Sequence, residues 1–113
     1  MLYYNFEAGN NAYKLKIDIQ NMVNLEKTLG CNPLMVFGQG DRVPTVTEMI
    51  AILHYSLQHF NHGITLEKSR GIFEEYLDDG NQVTDFIQHI IGIYRVSGLM
   101  KPEGAPEEED EKN

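Results

Sequence analysis

The chain has 113 residues, 42% of them hydrophobic and 23% charged. That suits one globular domain and excludes both a multidomain enzyme and a disordered chain. Seventeen Asp and Glu outweigh nine Lys and Arg, for a net charge of −8. This argues against nucleic acid and anionic membrane surfaces as partners, because both are bound through positive charge.

The single cysteine, Cys31, cannot form an intramolecular disulfide. The first ten residues, MLYYNFEAGN, carry neither a basic n-region nor an apolar h-region, and no apolar run is long enough to span a bilayer. A cytoplasmic protein is expected.

The expected fold is mainly α (α+β): one domain over residues 1–100, with about four helices and an N-terminal β-hairpin. Residues 2–18 hold two short strands, LYYNFEA and AYKLKID, around the turn formers Gly9, Asn10 and Asn11. Tyr13, Leu15 and Ile17 alternate with Lys14, Lys16 and Asp18, so one face can be buried. Asp18 suits the cap of a helix over about 19–29, with Ile19, Met22, Val23, Glu26 and Leu29 at helical spacing and Gly30 as its stop. Pro33 fits the first position of a single helical turn reaching Phe37, before a loop from Gly38 to Pro44.

Thr45 and Glu48 read as a capping box for a helix over about 46–60, whose buried stripe is Val46, Met49, Ile50, Leu53, Leu57 and Phe60. Asn61, His62 and Gly63 break it. Thr65 opens the next helix, about 65–79, with Ser69, Ile72, Phe73, Tyr76 and Leu77 inward and an acidic outer face. The last helix, about 82–97, turns Val83, Phe86, Ile87, Ile90 and Tyr94 inward and stops at Gly98. Residues 101–113, KPEGAPEEEDEKN, hold six acidic and two basic residues, a net −4 that is half of the total, and are expected to be a disordered acidic tail.

A search for chemistry is negative. His54 and His59 are five apart, about 140° around a helix, whereas two ligands on one face need a spacing of three or four. His59 and His62 sit at a helix end, where solvation and the helix dipole explain them. No metal or other cofactor is expected, and substitution of the histidines should leave stability nearly unchanged. Glu74, Glu75, Asp78 and Asp79 lack the alternating ligands and closing glutamate of a calcium loop. Gly38-Gln39-Gly40 lacks the Lys-Ser or Lys-Thr of a phosphate loop. Neither Cys31 nor Ser56, Ser69 or Ser97 lies in a nucleophile motif, so no catalytic residue and no enzyme are expected.

Surplus apolar surface stands out instead. Ile52 and Tyr55 lie off the main stripe of their helix, and Ile91, Ile93 and Val96 lie off the stripe of the last one. A domain this small has limited interior to hide them. These five residues are therefore expected to form a protein-binding surface, for a client or for a second copy of the chain.

In order along the chain come Tyr13-Lys14-Leu15-Lys16-Ile17, then Leu25-Glu26-Lys27-Thr28-Leu29-Gly30 and Asn32-Pro33-Leu34. The helix after Pro44 with Ile52-Leu53 and Leu57, the cap Ile64-Thr65-Leu66-Glu67, Asp78-Asp79-Gly80 and the closing Ser97-Gly98-Leu99 follow. This succession resembles the tail assembly chaperones of long-tailed bacteriophages and gene transfer agents. The resemblance implies a non-enzymatic chaperone of the host bacterial cytoplasm that binds the tape measure protein during tail morphogenesis and is not retained in the mature virion.

It also implies a short form and a frameshifted longer form whose added domain contacts the tail tube. Codons for Glu111-Lys112-Asn113 permit an A-AAA-AAC slip run, with the acidic segment as linker. Two other readings compete. One is a ring-forming structural head-tail or tail subunit, which purified particles would contain. The other is a small acidic inhibitor or regulator, whose charge would cover the folded surface instead of lying half in a tail.

Overall fold

The computed structural model describes residues 2–38 and 42–102. The element order is β1 (Tyr4–Ala8), β2 (Asn11–Leu15), α1 (Ile19–Leu29), α2 (Val46–Leu57), α3 (Leu66–Asp78) and α4 (Phe86–Val96), with short 3-10 turns at Pro33–Phe37 and Val83–Asp85. The expected architecture, an N-terminal hairpin followed by four helices, is the one the chain adopts. Of the expected acidic tail, only Lys101 and Pro102 fall within the described residues. The middle of the Gly38-to-Pro44 loop also lies outside them.

The hairpin is antiparallel, with Phe6 opposite Tyr13 and Tyr4 opposite Leu15. Gly9, at φ 63°, takes the first position of a two-residue turn, a backbone that only glycine adopts without strain. Phe6, Ala8 and Leu15 are buried, whereas Asn5, Glu7 and Lys14 face outward, as a period of two requires. Two bonds carry the strand's end onto the helices. The Lys16 N–H donates to the Ser56 carbonyl at 3.0 Å, and the Ile17 N–H donates to Ser97 Oγ at 2.9 Å.

Helix starts follow the capping chemistry. Asp18 accepts from the Asn21 N–H, Thr65 from the Lys68 N–H, and Thr45 and Glu48 form a reciprocal box. Two ends differ from expectation. α2 stops at Leu57, three residues short of Phe60. Phe60 is partly exposed and packs edge-on against Tyr3 at 5.9 Å, with the Lys14 ammonium over both rings. The last helix begins at Phe86, because the Asp85 carboxylate accepts the Gln82 N–H at 2.7 Å and tightens Val83–Asp85 into a 3-10 turn.

α2 lies at the centre, packed against α1, α3, α4 and β2. Met49, Ala51, Ile52, Leu53, Ser56 and Leu57 are all buried, so the helix is covered around most of its circumference, not along one stripe. α3 follows expectation, with Ser69, Ile72, Phe73 and Tyr76 inward.

α1 does not. Its buried residue is Leu25, flanked by half-buried Met22 and Leu29, while Ile19 is 75% exposed and Val23 also faces solvent. Two overlapping apolar stripes share Met22 and Leu29. α1 buries the Leu25 side, and Asp18 at its head meets His59 beyond α2 at 2.9 Å.

Among the described residues, no helix is long and apolar enough to cross a membrane.

Candidate functional site

The five residues expected on a binding surface fall in three settings: the core, a helix seam and a groove. Ile52 and Ile93 are 0% exposed and are corrected to core residues, because α2 is enclosed on several sides and α4 turns Ile90, Ile93 and Tyr94 inward together. Tyr55 is half-buried, and its hydroxyl lies 2.9 Å from Thr28 Oγ1, so it belongs to the seam between α1 and α2. Ile91 and Val96 remain partly exposed and line one groove.

That groove, of about 450 Å³, runs between the start of β1 and the outer face of α4. Its apolar wall is Leu2, Tyr4, Ile91, Gly92 and Val96, with Gln88 and Arg95 at the edges and Pro102 closing one end. Residues 88, 91, 92, 95 and 96 share one face of α4 at spacings of three and four.

Two features set the floor. The Tyr4 ring presses so closely on Gly92 that a Cβ there would overlap ring carbons. The Tyr4 hydroxyl lies 2.7 Å from Nδ1 of His89, one turn earlier on α4. His89 in turn packs edge-on against the rings of Phe6 and Tyr76. Burial pushes the Tyr4 hydroxyl up and the His89 ring down from their usual pKa values, with Asp85 opposing the shift at His89.

Reasoning from spacing missed Leu2, Tyr4 and Gly92. The available signal was Gly92 itself, since a glycine inside an apolar helix costs about 1 kcal/mol and marks a close approach.

Beyond Gln88 the surface continues into a second, polar cleft of about 500 Å³, lined by Asn5, Glu7, Tyr76, Asp79, Asn81 and His89. Asp79 accepts the Gly9 N–H at 2.8 Å, which ties the end of α3 to the hairpin turn. Tyr76 is 3% exposed and its hydroxyl has no hydrogen-bond partner among the described residues. Burial, then Asp85 and Tyr4, push that hydroxyl up to about 12.

His54 and His59, like His89, act as tethers, a role their spacing did not reveal. His54 Nδ1 lies 2.8 Å from Ser69 Oγ and joins α2 to α3. Ser69 is fully buried and its hydroxyl donates to the Thr65 carbonyl, so it receives from His54 instead of offering it a proton. His59 Nδ1 lies 2.9 Å from Asp18 Oδ2. Among the described residues, no group of three or more His, Cys, Asp or Glu could hold a metal ion.

Comparison with curated proteins and with solved structures gives no match. A family model does match, over residues 5–106, a span that takes in all four helices and the hairpin apart from Tyr4, so that Leu2 and Tyr4 of the groove lie just before it. The chain therefore belongs to the family of unknown function DUF6096.

Proposed function

We propose that this protein is a non-enzymatic assembly chaperone that covers an apolar helical segment of a phage tape measure protein while the tail is built, in the host bacterial cytoplasm. The observation that carries the reading is the apolar groove of Leu2, Tyr4, Ile91, Gly92 and Val96. An amphipathic client helix lays its apolar face into such a groove through anchors one turn apart. A chaperone must also let go, and a small, open groove gives moderate affinity. The net charge of −8 keeps the carrier soluble while that surface is unoccupied. The resemblance to tail assembly chaperones supplies the client's identity.

Coexpression tests this reading. The protein should keep a long-tailed phage's tape measure protein soluble and co-purify with it, and Ile91→Asp should abolish the complex without unfolding the chaperone. Recovery of the chain as a stoichiometric component of purified particles would contradict the reading and favour a structural tail subunit.

A further inference from the structure

We propose that the acidic cleft beyond Gln88 makes this surface selective for client helices that carry a basic residue about one turn past their apolar anchors. The inference rests on the groove being the client site and adds to it the chemistry of the client.

Gln88 borders both clefts, so a segment lying along α4 passes from one into the other. At 1.5 Å per residue, Gln88 to Val96 spans about 12 Å, room for two turns of apolar anchors before the next turn reaches the polar end.

Among the described residues lining the polar end there is no lysine or arginine. Glu74, Glu75, Asp78 and Asp79 crowd the end of α3, and no basic residue stands in its last turn. The helix dipole is negative there, so each carboxylate sits where a cation is favoured. Glu7 adds a further carboxylate from the outer face of β1. The ion pairs of Arg42 with Glu48 and of His59 with Asp18 both lie away from this cluster.

An independent feature marks the same cleft as a place for a ligand. Tyr76 lines this cleft, and its buried hydroxyl has no partner among the described residues. Such a group ordinarily finds one. A client lysine or arginine would bring positive charge to Glu7 and Asp79 and a hydrogen-bond donor to the cleft that Tyr76 lines.

The test uses the full-length protein and two synthetic helical peptides that share one leucine stripe. One carries lysines in the turn after the stripe and the other carries glutamines, with binding followed by fluorescence anisotropy. The lysine peptide should bind about tenfold more tightly, and Glu7→Lys should remove most of that advantage while leaving the glutamine peptide little changed. Glu7→Gln, a milder change at the same exposed strand position, should give an intermediate loss.

Equal binding of the two peptides, or a lysine advantage that both Glu7 variants leave intact, would overturn the selectivity. The groove would then still stand if Ile91→Asp weakens the glutamine peptide. If Ile91→Asp leaves both peptides bound as in the wild type, or if neither peptide binds the wild type, the groove itself fails and the selectivity with it.

Discussion

The ring of Tyr4, at the start of β1, lies against the backbone of Gly92 in the middle of α4 and leaves no space for a side chain there. An alanine at 92 gains helix propensity worth up to about 1 kcal/mol. It must also displace the ring and its bond to His89, and overpacking of this kind costs about 1 to 3 kcal/mol. Gly92→Ala should therefore destabilise the native chain. In a Tyr4→Ala background, where the overlap is gone, the same change should be neutral or stabilising, a sign reversal that a double-mutant cycle by urea unfolding would read.

Tyr94, wholly buried in α4, donates its hydroxyl hydrogen to the Pro33 carbonyl at 2.9 Å and so anchors the Pro33–Phe37 turn to the core. Tyr94→Phe should cost about 1 to 3 kcal/mol, because the carbonyl is left buried without its donor. Urea unfolding measures the loss. Amide exchange around Leu34 to Phe37 should rise more than elsewhere, since that turn loses its anchor.

The pH dependence has a definite sign. Burial holds His54 and His89 below the ordinary histidine value, so the unfolded chain takes up protons first as the pH falls. Their contribution to stability is complete above about 6.5 and is lost as the pH drops through that value towards the lower folded-state values. Burial alone would raise Asp18. Hydrogen bonds from the Asn21 N–H, His59 and the Asn21 amide more than offset it and hold the carboxyl low, so its contribution disappears only at more acid pH, below about 4. The urea midpoint should fall between about pH 7.5 and 5.5, and replacing both His54 and His89 should flatten that slope.

Ile52→Asp and Ile93→Asp should each unfold the domain or cost about 3 to 5 kcal/mol, because both side chains are fully enclosed and an aspartate there has no partner. Ile91→Asp, at the groove, should leave the melting temperature within a few degrees. Thermal unfolding of the three variants side by side separates core from surface. A stable Ile93→Asp protein would contradict the packing described for α4.

The elements were legible because local chemistry fixes them. Asp18, Thr45 and Thr65 cap the helices they begin, and Gly9 makes the turn. Which apolar residues stay outside was less legible, because that depends on how many neighbours a helix has. Ile52 looks spare on a helix with one buried stripe and is core on a helix packed on several sides. Some of this was available, since α2 carries apolar side chains around most of its circumference, the mark of an enclosed helix. The Tyr4, His89 and Gly92 cluster joins residues more than 80 positions apart, which no periodicity encodes.

The central claim, that the face formed by Leu2, Tyr4, Ile91, Gly92 and Val96 receives an apolar client helix, is tested most directly by titrating the tape measure segment, as labelled overlapping helical peptides, into wild-type protein and Ile91→Asp. The account predicts saturable binding of at least one peptide by the wild type, and a loss of about tenfold or more in a variant whose circular dichroism and melting temperature match the wild type. Equal binding by both proteins, or no binding by either, would contradict it.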